Sequence, residues 1–312
     1  MKPVASGSDR FFVIRLTFCV VALVAVAAGR QPVTPPQLLT EAVPAADHRI
    51  RYGPDELHIG ELRLPKNGKP PYPVALLVHG GCWARELPNL DPRAVSFDLL
   101  RPMAAALADS GIATWNVEYR RTGDAGGGWP GSFEDLSRAA DFLRELAPKH
   151  ALDLTRVLAA GHSSGGHLAM WLAARPKLPP SSALYSRDPL RVKAAVNLDG
   201  LADPAAFQPM ETKVCPIPAM TRLLGGTPSE YPSRYRDASP QSFLPLGIPQ
   251  EFIGGSLVRG LNEQIIAYQS AAQAKGDVVT ITALAGAGHF DMLAPRSPHW
   301  KLVEERFRAL LR

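Results

Sequence analysis

Gly161-His162-Ser163-Ser164-Gly165-Gly166 sets Ser163 in a G-x-S-x-G frame, an arrangement in which a serine hydroxyl can be made into a nucleophile. The glycines answer a steric need. A sharp turn from strand to helix forces the central serine into strained backbone angles, and residues without a β-carbon are required beside it. The same turn lifts the hydroxyl off the sheet and aims the N-terminus of the following helix at it, where backbone N–H groups can stabilise an oxyanion. Two more features suit acyl-transfer chemistry. His289, in Gly288-His289, is a candidate base for the serine proton, and His79-Gly80-Gly81-Cys82-Trp83 is a glycine-rich loop upstream.

These residues need elements to position them. Residues 157–160 are short, apolar and strand-like, and residues 167–174 are rich in helix formers, so Ser163 falls between a strand and a helix. Other strand-like runs are 57–64, 73–79, 112–118, 192–198, 251–253 and 278–282. Helical patterns cover 103–109, 132–146, 262–275 and 303–311. Strands alternating with helices predict a mostly parallel sheet covered on both faces. His79, Ser163 and His289 each follow a strand. The proline-rich excursion 202–249 reads as a cap-like insertion, with Phe207, Met210, Met220 and Tyr231 available to cover an apolar pocket. The organisation is therefore a leader over 1–30, a linker over 31–50 and one domain over 51–312.

Bulk properties narrow the function classes. The chain has 312 residues, is 46% hydrophobic and 20% charged, which excludes disorder and leaves ample surface for a core. The net charge is +5, and Lys2, Arg10, Arg15 and Arg30 against Asp9 account for +3 of it. No basic run is interleaved with aromatics, so nucleic acid is not expected as a partner. No H-E-x-x-H, C-x-x-C pair or clustered His/Asp set suggests a metal, and no phosphate-binding glycine loop suggests a nucleotide, so no cofactor is expected.

Residues 1–30 read as an export signal. Three cations precede the apolar run 16–28, within the about 7–15 residues of a signal core and short of the roughly 20 a membrane span needs. Ala25-Val26-Ala27 offers a small-x-small cleavage site, which predicts a periplasmic or secreted protein. The alternatives are an uncleaved anchor, which is then the only membrane contact, and a misplaced start. Removing the signal leaves Cys82 and Cys215. Two buried thiols are the preferred reading and a disulfide the alternative, since sequence does not show whether the two meet.

At these motifs the chain resembles the α/β-hydrolase fold esterases, most of all the carboxylesterase and feruloyl-esterase-like (BD-FAE-like) group that includes kynurenine formamidases. The match rests on His79-Gly80-Gly81-Cys82-Trp83, on 161–169 as the elbow, and on Ala287-Gly288-His289-Phe290. Glu118-Tyr119-Arg120-Arg121, Trp129-Pro130 and Leu223-Leu224-Gly225-Gly226 add to it. The resemblance covers 57–312. It implies a Ser163 nucleophile, a His289 base, and oxyanion donors on the backbone of Gly81, Cys82 and Ser164. His79 is expected to hold the oxyanion loop, and His162 and Trp83 to line the substrate pocket. His167 is expected to pack.

The resemblance also implies an Asp after the penultimate strand, where this chain has Leu257. Three substitutes are open: Asp203, which is slightly preferred, Asp199 in the same loop, and Glu263 at the start of the next helix. The expected activity is hydrolysis of small-molecule carboxylic esters with small or aromatic groups. Kynurenine-formamidase-like amide hydrolysis and a catalytically weak binding role, motivated by Leu257, are the alternatives.

Overall fold

The computed structural model describes residues 31–256 and 262–312; the expected signal in 1–30 and Leu257 lie outside them. Eight strands form one sheet: β1 (His48–Arg51), β2 (Ile59–Arg63), β3 (Tyr72–Val78), β4 (Ala113–Val117), β5 (Leu152–His162), β6 (Ala194–Leu198), β7 (Gln250–Gly255) and β8 (Val279–Leu284). Their order is β1-β2-β4-β3-β5-β6-β7-β8. The β1–β2 and β2–β4 pairs are antiparallel, and every other pair is parallel.

Parallel strands need crossovers. In chain order the helices are α1 (Pro35–Leu39), α2 (Arg101–Asp109), α3 (Gly131–Asp141), α4 (Leu143–His150) and α5 (Ser164–Ala174). The insertion carries α6 (Pro204–Phe207), α7 (Glu211–Val214), α8 (Ala219–Leu224) and α9 (Pro232–Ala238). The last two are α10 (Asn262–Gln273) and α11 (Trp300–Leu310). Alternate residues of a strand point to opposite faces, and β3 shows the result. Val74, Leu76 and Val78 join one core with residues of α3, α4, α5 and α10, while Ala75 and Leu77 join a second with residues of α1, α2 and α11. This is the α/β-hydrolase fold, a mostly parallel sheet with helices on both faces.

Three readings of the sequence differ from the structure. The helix expected over 132–146 is two helices, α3 and α4, that meet at Phe142. The expected linker over 31–50 is structured. Its Val33 and Leu38 are buried in the second core, and β1 adds an antiparallel edge to β2. The charged, exposed sequence of β1 has no apolar alternation to announce a strand. The insertion is a wall of the main core, with Phe207, Met220, Leu223 and Tyr235 buried in the same cluster as β3. Of its four expected pocket residues, Tyr231 lies at the surface against the Arg234 guanidinium.

One buried histidine makes the fold sensitive to acid. His167, on α5, is buried and its Nε2–H donates to Ala238 O at 2.8 Å. Burial pushes its pKa down from 6.5 to about 4. Between these values the unfolded chain binds the extra proton and the folded one does not. The contribution to stability is therefore complete above pH 6.5 and declines as pH falls towards 4, by about 3 kcal/mol. Urea unfolding at pH 7, 5.5 and 4 measures it. We expect His167→Gln to flatten the loss by most of that amount, and an unchanged pH slope in the variant counts against this source.

Candidate active site

The elbow forms where β5 ends. Ser163 has φ 56° and ψ −122°, left-handed backbone that a residue with a β-carbon adopts only under constraint. Its N–H donates to Leu198 O at 2.8 Å, which pins the turn to the end of β6. Glycine is required around it: a β-carbon at Gly161 would stand 2.0 Å from Gly165 O, and one at Gly165 2.2 Å from Val78 O. These contacts let α5 start directly over the strand ends. Ser164 is its first residue, so the Ser164 N–H has no partner within the helix.

His289 stands beside the elbow, in the loop after β8. Its ring centroid lies 4.5 Å from that of His162, the residue before Ser163. The His162 Nε2–H donates to His289 O at 2.7 Å and so holds the backbone of that loop. His162 is buried, and burial pushes its pKa well down, so the ring is neutral. It braces His289 and is not among the walls of the small pocket beside Ser163. Asp291 braces the loop from the other side, its Oδ2 accepting from Gly288 N and from Val33 N of the N-terminal segment.

The carboxylate that meets His289 is Asp199. Asp199 Oδ2 lies 3.3 Å from His289 Nδ1. The bond is longer than a typical charge-assisted one. Asp199 Oδ1 accepts from Gly255 N at 3.2 Å, and the residue is 2% exposed. Burial raises its pKa, against the pull of the hydrogen bond and charge of His289. Asp199 follows β6 and His289 follows β8, so the carboxylate must reach across β7. A β-carbon at Gly254 on β7 would stand 2.7 Å from Asp199 Oδ1, and glycine leaves that passage open.

The other two candidate acids are placed elsewhere. Asp203 caps α6, its Oδ1 accepting from Ala205 N and Ala206 N and its Oδ2 from Gln241 Nε2. Glu263 is exposed on the first turn of α10. Among the described residues, neither is bonded to His289. The sequence signals the role of Asp203 and not that of Asp199. Asp203-Pro204 is a helix start, with a capping carboxylate before a proline at N1, whereas Asp199 sits directly at a strand end.

The glycine-rich loop 79–83 faces the elbow. Gly81, Cys82 and Trp83 have consecutive positive φ values of 109°, 53° and 53°. The Trp83 N–H donates to Ser164 Oγ at 3.3 Å. Among the described residues, the N–H groups of Gly81, Cys82 and Ser164 have no acceptor, so they are free to bind an anion. His79 holds the loop from beneath through bonds to Gly80 O and Glu118 Oε1, both at 2.8 Å. Burial opposes the Glu118 charge, but the His79 and Arg121 charges outweigh it and keep this carboxyl below its ordinary range.

Cys82 and Cys215 are joined in a disulfide, which corrects the preferred reading of two thiols. It closes a span of 133 residues, and in the chain-entropy account that restriction of the unfolded state stabilises the fold by about 5 kcal/mol. A small pocket opens at Ser163, with Trp83, Leu201, Phe207, Val214 and Cys215 among its walls. Asp199 and Ser164 also reach it. Trp83, expected to line a substrate pocket, is one of these walls, while nothing local in the sequence ties 214–215 to Ser163. Among the described residues, no group of His, Cys, Asp and Glu could hold a metal ion, and no helix is long and apolar enough to cross a membrane.

Comparison with known proteins adds a family and a fold. A family model described as BD-FAE matches residues 61–275. A truncated carbohydrate esterase from gut microbiota superposes with a TM-score of 0.68 at 21% identity, over 86% of this chain and 96% of that one. An inhibited form of esterase B from Lactobacillus rhamnosis gives 0.70 at 22% identity, over 87% and 89%. A curated relative, the non-reducing polyketide synthase adrD of Penicillium rubens, is 30% identical over 139 residues. That match spans 40% of this chain and only 5% of the synthase.

Proposed function

The chain belongs to the BD-FAE family, and we propose that it hydrolyses carboxylic esters through an acyl-enzyme formed on Ser163. Ser163 Oγ attacks the ester carbonyl carbon while His289 Nε2 takes its proton. Asp199 accepts the Nδ1–H bond, which fixes the tautomer that leaves Nε2 free and offsets the positive charge that then forms on the ring. The carbonyl oxygen becomes an oxyanion held by the N–H groups of Gly81, Cys82 and Ser164; such donors are typically worth about 3 kcal/mol each in the transition state. Collapse breaks the bond to the alcohol oxygen, which leaves with the proton from His289. Water then repeats the cycle on the acyl-enzyme and releases the acid.

The observation that carries this reading is the Asp199–His289 contact at the strand ends, next to a serine held at φ 56°. The disulfide also supports export to an oxidising compartment, where such bonds persist. Two measurements on the purified protein test the proposal together. A fluorophosphonate probe is expected to label Ser163, identified by peptide mass, and p-nitrophenyl acetate to be turned over. Absence of both removes the hydrolase reading and leaves the binding role.

A further inference from the structure

Cys82–Cys215 joins covalently two parts of the site that are otherwise held together by packing alone. Cys82 belongs to the oxyanion loop. Cys215 ends α7 and stands in the pocket wall with Val214 and Phe207. That wall is built from α6 and α7, helices of four residues each, too short to be stable by themselves. Glu211 ties α7 to α8, accepting from Met220 N at 2.6 Å and Thr221 N at 2.9 Å. Phe207 rests edge-on against Trp83, with ring centroids 6.0 Å apart. Among the described residues, the bridge is the one covalent cross-link between wall and loop.

The pocket beside Ser163 measures ≈ 10 Å³, about the space of a single water-sized group, and it is partly open, with Val214 of its wall exposed. An acetyl methyl is the smallest acyl substituent it could be asked to take. A longer acyl chain must push Phe207, Val214 and Cys215 outward, and Cys215 cannot move without pulling the oxyanion loop with it. We propose that the Cys82–Cys215 bridge sets the acyl-chain selectivity of this site: it holds the wall formed by 207–215 against the oxyanion loop, so that an acetyl group is admitted and longer chains are excluded. The inference rests on the proposed ester hydrolysis at Ser163.

The test compares kcat/KM on p-nitrophenyl acetate, butyrate and octanoate for the native protein, for Cys215→Ala and for the Cys82→Ala/Cys215→Ala double variant. Fluorophosphonate labelling of Ser163 is followed in each. The bridged protein is expected to favour acetate steeply. Loss of the bridge is expected to lower the acetate-to-octanoate ratio by about tenfold or more, the scale on which a pocket discriminates added methylenes. A purely structural bridge lowers all three rates together and leaves the ratio unchanged, and that result overturns the proposal while the hydrolase reading stands. A bridged protein that already prefers octanoate overturns it as well. Absence of labelling and turnover in the native protein overturns the hydrolase reading and this inference with it. Should the variants not fold, the folded native protein is reduced with a phosphine, the two thiols are counted by mass, and the same ratio decides.

Discussion

Ser163→Ala is expected to lower kcat on p-nitrophenyl acetate by about a million-fold and to abolish fluorophosphonate labelling, the scale seen when a serine nucleophile is removed from a comparable site. The free N–H groups of Gly81, Cys82 and Ser164 remain in that variant, so a residual rate above the uncatalysed reaction should persist. The neighbouring hydroxyl supplies the control. Ser164 Oγ accepts from Trp83 N at 3.3 Å and meets the Tyr119 hydroxyl, and Ser164→Ala gives up these contacts, worth about 1 kcal/mol each. Its effect on kcat should stay near tenfold, with labelling intact. Equal losses in the two variants, read from initial rates on folded protein, would show that the elbow does not single out Ser163.

Asp199→Asn is expected to cost about ten-thousand-fold in kcat, with KM little changed. The side-chain amide keeps an oxygen for Gly255 N but presents an N–H to His289 Nδ1, which then has to accept. The ring proton moves to Nε2, and Nε2 can no longer take a proton from Ser163. Asp203→Ala should behave differently. It removes the cap of α6 and the bond to Gln241, lowering unfolding stability by about 1 kcal/mol while kcat stays within a few-fold. Paired kinetics and urea unfolding separate the two carboxylates. The opposite pattern, with Asp203→Ala inactive and Asp199→Asn active, rejects Asp199 as the partner of His289.

The contrast between these carboxylates shows where sequence reasoning loses reach. Both lie in the loop after β6, and both are candidates on spacing alone. Asp203 has a local signature, a capping residue before Pro204, that identifies a helix start and was readable. Asp199 has none, because its partner is 90 residues away. The disulfide has the same character: its cysteines are 133 residues apart and become neighbours through the packing of the 207–215 segment against the 79–83 loop. The N-terminal segment was misread for a related reason, since Val33 and Leu38 bury themselves in a core they do not announce by periodicity.

What the sequence determined by itself is the part of the site governed by short-range sterics. A turn that forces Ser163 to φ 56° needs glycine within two residues, and that need is written into Gly161 and Gly165. The alternation of strands and helices, and the strand-end positions of His79, Ser163 and His289, follow from the same local rules. Tertiary structure decided which carboxylate meets His289, that Cys82 and Cys215 pair, and how small the pocket is. These depend on sheet order, in which β7 lies between β6 and β8 and Gly254 leaves room for Asp199 to reach across. Strand order arises from packing distant segments together, and no window of neighbouring residues contains it.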